Sequence, residues 1–316
     1  MKKTKIIAVV GSTAGGKSAL AVALAKRHGG EIISCDSMQV YRGMDIGTAK
    51  PTADEQASVR HHMIDVADPL RDFSSAEYVS LAEQAIADCA ARSKLPIVCG
   101  GTGLYLDALL RGNDFEVSGA NETLRAELYA YAEKEGAEAL HRMLREVDPE
   151  SADAIHPNNV KRVVRAIEIY RTSGVPKSEW DRRSQEGGER YDATVVGIRY
   201  QSRERLWARI DRRVDQMLAD GLEEETRRLY AENVFSVNRT AAQAIGYKEL
   251  LPYLEGRQTL AEAVERLKIA THQYAKRQMT WFGAKPYVRW LEADSEMGEK
   301  TFEEIVNNAE SLFSLS

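Results

Sequence analysis

An unbroken apolar run, Ile6-Ile7-Ala8-Val9-Val10, stands near the start of the chain and predicts a strand buried on both faces. The alanine- and leucine-rich stretch Ala19–Lys26 predicts a helix directly behind it. The alternation then repeats. Glu31–Cys35 and Pro96–Cys99 are short apolar runs that read as strands, while residues 75–92 and 104–110 read as helices. Ser74-Ser75-Ala76-Glu77 has the spacing of a capping box at the start of the first of these helices. Residues 41–72 are punctuated by Gly43, Gly47, Pro51 and Pro69 and are expected to be irregular. Strands alternating with helices predict an α/β fold, a parallel sheet core flanked by helices.

Strand signal disappears between Asp114 and Gln185, where helices are expected over 122–135, 137–146 and 159–173, the last stopped by Gly174 and Pro176. Gln185-Glu186-Gly187-Gly188-Glu189 reads as a polar linker, and Thr194–Ile198 returns to strand. Helices follow at 203–219, 222–232, 240–253 and 259–282, the last opened by a capping box from Thr259 to Glu262. A strand at 287–291 and a helix at 301–313 complete the pattern. The expected organisation is a core of 1–113 and 186–316 interrupted by a helical insertion domain of 114–185.

The first strand and helix are joined by Gly11-Ser12-Thr13-Ala14-Gly15-Gly16-Lys17-Ser18, a G-x-x-x-x-G-K-[ST] phosphate loop in the strand–loop–helix setting it requires. The core is therefore expected to be like that of the P-loop NTPases. The glycines let successive backbone N–H groups turn inward, the helix N-terminus adds partial positive charge, and Lys17 adds a full one. Ser18 offers a hydroxyl to Mg²⁺. The pattern calls for a polyphosphate without specifying ATP. Ligands of parallel sheets gather at the C-terminal ends of the strands, which aims Asp36 at the same crevice. Asp36 is a candidate base there. An Asx turn and a carboxylate behind a magnesium ion are the competing roles.

Composition sets limits on this picture. With 316 residues, 43% apolar and 29% charged, the chain is long enough for one large or two ordinary globular domains. No apolar stretch approaches the ~20 residues of a membrane span, and the run behind the basic Met1–Lys5 ends too soon for a signal peptide. Cys35, Cys89 and Cys99 form neither a C-x-x-C nor a zinc spacing, which fits reduced thiols in the cytoplasm. His61-His62 has no cysteine or histidine nearby in sequence, so a structural or substrate-contact role is expected rather than a metal. A net charge of −5 does not announce a nucleic-acid partner, but the bases gather in rows. Lys161, Arg162 and Arg165 form one, Arg205, Arg209, Arg212 and Arg213 a second, and Lys268, His272, Lys276 and Arg277 a third. Local acids such as Glu204, Asp211 and Asp215 favour a solvated face for any single row. Three rows on a phosphate-loop chain point instead to a large polyanion or a multi-arginine diphosphate clamp.

Together these segments resemble the tRNA isopentenyltransferase family in its bacterial form. The similarity is carried by Gly11–Ser18, Ile33–Tyr41, Gly43–Pro51, His61–Asp65, Gly100–Tyr105, His156–Asn159 with Arg162, Arg165, Ala166 and Glu168, then Ala244–Lys248 and Ala275–Trp281. They stand in family order across almost the whole chain. Met44-Asp45-Ile46-Gly47-Thr48-Ala49-Lys50-Pro51 is the most specific of them. Ser12 stands where the family usually has proline, and Gly15 adds a glycine; neither change removes a phosphate-binding group.

The resemblance implies a reaction in which N6 of the adenosine just 3′ of the tRNA anticodon attacks C1 of dimethylallyl diphosphate and diphosphate leaves. It implies Asp36 as base. Lys17, Thr102 and Arg213, the loop from Gly11 through Ser18, and Mg²⁺ on Ser18 would stabilise the leaving group. It further implies contacts to the anticodon stem-loop from Asp36, Ser37, Met38, Gln39, Thr102, Arg125, Lys161, Arg162, Arg165, Gln243, Gly246 and Lys248, with the target base flipped from its stack. A monomer with no membrane association is the implied state. A phosphate-loop kinase of small molecules, a non-catalytic tRNA-binding or switch protein, and an adenylate isopentenyltransferase acting on free nucleotide remain the alternatives. The helical insertion and the basic rows favour tRNA over a free nucleotide.

Overall fold

After Lys5, strand β1 (Lys5–Gly11) carries no polar side chain on either face, and Ile6 through Val10 are all buried in the middle of a six-stranded sheet. The computed structural model describes residues 3–111, 121–186 and 188–313. β1 pairs with β4 (Leu95–Cys99) on one side and β5 (Asp192–Arg199) on the other. Beyond β4 lie β2 (Gly30–Ser34) and β3 (His61–His62); beyond β5 lies β6 (Val288–Glu292). The order is β3-β2-β4-β1-β5-β6 and every neighbouring pair is parallel. This is the α/β, P-loop-like sheet expected. The loops after β1, β2 and β4 consequently open at the same end of the sheet.

Alternation along the strands sends Ile7 and Val9 of β1, Ile97 of β4 and Val196 of β5 into one core. Helix α1 (Lys17–His28) fills it with Leu20, Ala21 and Leu24, and the late helix α15 (Phe302–Ser311) adds Val306 and Ala309. The capping boxes at Ser74 and Thr259 are formed and open α3 (Ser75–Ala91) and α14 (Leu260–Gly283). A third one, Thr52 with Glu55, opens α2 (Ala53–Ser58) inside the segment expected to be irregular. Helix α4 (Gly103–Arg111) follows the glycine turn after β4.

The chain forms two compact units, one of residues up to 109 and from 191 on, the other of residues 110–190. The second contains α5 (Glu122–Glu135), α6 (Ala137–Val147), α7 (Pro149–Ala154), α8 (Val160–Ser173) and α9 (Lys177–Glu186), with no strand among its described residues. Leu128, Leu140, Leu144, Val163 and Ile167 make its core. The short α7 and α9 were not expected. Asp148 accounts for both: its carboxylate accepts from the Ser151 amide and from the amide and hydroxyl of Ser178. The expected insertion start at 114 and Gly187 of the linker lie outside the described residues.

In the first unit, α10 (Arg203–Ala219), α11 (Leu222–Ala231) and α12 (Val234–Val237) follow β5. The continuous helix expected over 240–253 is not there. A single 3₁₀ turn at Ala241–Gln243 gives way to a turn-rich stretch and then to α13 (Leu251–Leu254). Gly246, at φ +110°, breaks the helical path, and its N–H goes to the Glu249 carboxylate rather than to a helical carbonyl. A small hairpin, β7 (Asp294–Ser295) and β8 (Gly298–Glu299), completes the unit.

The histidine pair has neighbours that its sequence context hides. The His62 Nε2 atom lies 2.7 Å from Glu31 of β2 and 3.6 Å from the Cys89 sulfur of α3. A cation is already supplied: the Arg92 guanidinium takes both Glu31 oxygens and holds that carboxyl down at about 2. The cluster is an ion-pair knot, its acid buried and its arginine exposed, that ties the end of α3 to the sheet.

Candidate active site

The loop after β1 curls because Gly16, at φ +94°, supplies a left-handed turn immediately before α1. The Lys17 ammonium donates to the Ser12 carbonyl of its own loop at 2.6 Å. Three arginines of α10 close the far wall. Arg209, Arg212 and Arg213 line a cavity of about 390 Å³ with residues 14–19, and no acid is among the lining residues. Arg209 Nε also donates to the Ala14 carbonyl at 3.1 Å. Arg205 of the same row turns away to Asp294 and the Ser295 carbonyl.

Burial pushes the Lys17 ammonium down to about 8, with Arg213 adding repulsion. The charged form is the one that binds an anion. The lysine's contribution to binding a phosphate anion is therefore expected to be complete below about pH 8 and to fall as pH rises through that value. Calorimetric titration of pyrophosphate across this range checks it. Lys17→Arg, which stays charged, should remove the lysine's share of the inflection and leave only the ligand's own titration.

A second cavity, of about 170 Å³, meets the first at Ala14 and Arg213. Thr13, Asp36, Ser37 and Thr48 are among its polar lining residues, and Ile210, Val214, Met217 and Leu267 among its apolar ones. The Asp36 Oδ1 atom accepts from the amides of Met38 at 2.9 Å and Gln39 at 3.4 Å. This is the Asx-type turn, yet it occupies one oxygen only; Oδ2 has no hydrogen-bond partner among the described residues. Burial raises the pKa of Asp36, outweighing those two amides and the charges of Lys17 and Arg213. A carboxylate made more basic beside an open cavity is suited to taking a proton.

The other expected site residues separate into liners and braces. Thr13, Gln243 and Gly246 line the second cavity; Gly11 ends β1, and Ser12 is buried beneath the loop. Thr102 lines neither cavity. Its hydroxyl accepts from the Ser37 amide at 3.0 Å and so braces the turn that carries Asp36. Gln39 donates inward to the carbonyls of Thr48 and Ala49. Lys248 lines neither cavity and sits beside Glu249. In the third basic row, Lys268 and His272 pair with Asp215 and Asp211 and join α14 to α10. On α8 of the helical unit, Lys161 and Arg162 are exposed. Arg165 and Arg125 instead share the buried carboxylate of Glu168.

Three further residues hold the site together. The Gln278 side chain accepts from the Thr13 amide at 2.7 Å and donates to the Gly101 carbonyl at 3.1 Å, fastening the phosphate loop to the turn after β4. Tyr274 lines the second cavity and reaches both Thr102 and Gln278. Glu225, buried on α11, accepts from the amides of Asp45, Ile46 and Gly47 and from the Tyr247 hydroxyl at 2.7 Å. It clamps the loop containing Gly47 to the loop containing Gly246. The fit is close: a β-carbon on Gly47 would lie 2.5 Å from the Tyr247 ring. Glu225→Ala strands three amides and is expected to cost about 3 kcal/mol of stability, read as a lowered melting temperature. Nothing in Glu223-Glu224-Glu225 marks the third acid as the buried one.

A family model described as IPP transferase matches residues 39–285. The chain belongs to the IPP transferase family. It is 48% identical over 302 residues to the tRNA dimethylallyltransferase of Geobacillus thermodenitrificans, covering 95% of each chain. It is 49% identical over 288 residues to tRNA dimethylallyltransferase 1 of Pelobacter propionicus, covering 91% of this chain and 92% of that one. Among solved structures it is similar to the full-length tRNA isopentenylpyrophosphate transferase of Bacillus halodurans, with a TM-score of 0.71 and 43% identity over 98% of this chain and 95% of that one. A eukaryotic dimethylallyltransferase acting on tRNA matches with a TM-score of 0.78 and 32% identity over 92% of this chain and 74% of the other. The IPP transferase match takes in Asp36's following turn from Gln39 on, the Glu225 clamp and Gln278, while the phosphate loop precedes it.

Proposed function

We propose that this chain transfers the dimethylallyl group of dimethylallyl diphosphate to N6 of the adenosine immediately 3′ of the tRNA anticodon, releasing diphosphate. The observation that supports this most is the meeting of two unlike cavities at Ala14 and Arg213, one cationic and one largely apolar, with the Asp36 carboxylate in the second. A diphosphate in the first and a short hydrocarbon in the second would have the bond between them beside Asp36, which supports this reading. N6 attacks C1, the C1–O bond breaks, and the N6 proton passes to Asp36. The exocyclic amine of adenine is a weak nucleophile, so a placed base is worth about 10²–10⁴-fold. The loop amides, Lys17 and the three arginines take up the charge of the departing diphosphate.

Ser18, in the first turn of α1 and lining the cationic cavity, offers a hard oxygen beside the diphosphate position. That donor set suits Mg²⁺, which would add neutralisation at the leaving group. On the tRNA side, the exposed Lys161 and Arg162 at the start of α8 would meet backbone phosphates. Arg162→Ala is expected to weaken tRNA binding and lower the slope of log affinity against log salt by about one. An unchanged slope returns that row to a solvated helix face. The target adenine reaches the cavity only when flipped out of its stack.

Among the described residues no helix is long and apolar enough to cross a membrane, and Cys35, Cys89 and Cys99 are buried free thiols. A cytoplasmic monomer is the state proposed. The test is one assay with purified protein, dimethylallyl diphosphate and Mg²⁺, offering unmodified tRNA, AMP and ATP as acceptors. Product on tRNA alone is expected. Preference for AMP makes the chain a free-nucleotide prenyltransferase, and ATP turnover without tRNA makes it a kinase.

A further inference from the structure

The length of prenyl chain accepted has a structural determinant in the wall of the apolar cavity. Ile210 and Val214 of α10 and Leu267 of α14 are buried by the packing of those helices, so that side is fixed. The opposite end is not fixed in the same way. A third cavity, of about 560 Å³, lies beyond it and contains Asp45, Glu55, Asp65 and Asp220. Three residues, Ala49, Arg213 and Met217, line both cavities. Arg213 is held to the diphosphate position, and Ala49 has a single methyl group. The removable bulk of the partition is the half-buried Met217 side chain, one helical turn past Arg213.

We propose that Met217 sets the prenyl chain length, closing the apolar cavity so that one isoprene unit fits and a second does not. The proposal rests on the transfer reaction above. A tail whose diphosphate lies at Arg213 must run along the stripe Ile210, Val214 and Met217, which share one face of α10. A ten-carbon tail meets the thioether at the end of that stripe. Methionine is unbranched and adaptable, so it covers the gap without rigid support. Past it, the chain would enter the third cavity, where the charged Asp45, Lys50, Glu55, Asp65 and Asp220 interrupt the apolar lining of Ile46, Pro51 and Ala53.

The experiment measures kcat/KM of wild type, Met217→Ala and Met217→Val with dimethylallyl and geranyl diphosphates on unmodified tRNA, identifying the product nucleosides by mass. Binding of both diphosphates without tRNA gives a readout independent of transfer. Met217→Ala is expected to reduce the preference for dimethylallyl over geranyl by roughly tenfold or more, mainly through tighter geranyl binding and gained geranyl transfer. Met217→Val, which keeps a branched stub, should fall between the two and guards against a misfolded alanine variant. Dimethylallyl transfer by Met217→Ala at an unchanged preference, with unchanged geranyl affinity, overturns the assignment. Absence of dimethylallyl transfer in the wild type would instead defeat the proposed reaction, leaving the two failures distinct.

Discussion

Asp36→Asn is expected to slow single-turnover prenyl transfer by about 10²–10⁴-fold while leaving dimethylallyl diphosphate binding nearly unchanged. The amide keeps the shape of the side chain and an oxygen for the Met38 and Gln39 amides, so the turn survives. What it loses is the proton acceptor at the unpartnered position. Asp36→Ala should be as slow and somewhat less stable, because the turn amides lose their acceptor. Since burial raises the pKa of Asp36, transfer in the wild type should fall on the acid side at a higher pH than an ordinary aspartate would give. That acid limb should vanish in Asp36→Asn. A role in supporting Mg²⁺ predicts otherwise, namely that high Mg²⁺ restores the mutant rate. A magnesium titration of the single-turnover rate separates the two, and full rescue sinks the base assignment.

Lys17→Ala should be the other large effect, a loss of at least about 100-fold in kcat/KM. The loss differs in kind from that of Asp36. On the proposed reaction Lys17 would face charge that is present in the bound diphosphate and grows as the bond breaks, so both affinity and rate should drop. Direct titration of pyrophosphate should show the weakened binding without tRNA. The arginines at 209, 212 and 213 retain part of the site's positive charge, so residual binding that fades with added salt is expected. Wild-type transfer in this variant would exclude the loop as the diphosphate site.

Much of the fold was legible because local signals and the global pattern agree. The buried run 6–10, the Ser74 and Thr259 capping boxes and the phosphate loop each name a structure on their own. The stretch 240–253 misled because its composition is helical while one residue, Gly246, is shaped by contact with Gly47 some two hundred positions earlier. Helix α2 escaped because six residues are too few for periodicity, although Thr52 and Glu55 carry the same capping spacing as Ser74 and Glu77. At the candidate site, motif and resemblance pointed to Asp36, Lys17 and Arg213, and these residues do line the two cavities. Their supports were not legible. Gln278 and Glu225 act on backbone amides of distant segments, and no spacing in a single sequence encodes which amide a side chain will meet. Thr102 was legible as a residue of the site but not as a brace, since strand-end position says where a side chain is and not what it touches.

The pairing of β1 with β5 has a consequence for how the chain is made. β1 gains one neighbour when β4 emerges, but its other edge must wait for residues 192–198, on the far side of the helical unit. At ordinary synthesis speeds that wait is about 5–20 s. The helical unit between them has its own core, closed by residues 121–173 alone, so it can finish first. Meanwhile the apolar edge of β1 stands open, a hazard that a nascent chain meets with chaperones or with speed. The segment bearing the phosphate loop is thus translated first and locked in place only when the strand after the insertion arrives.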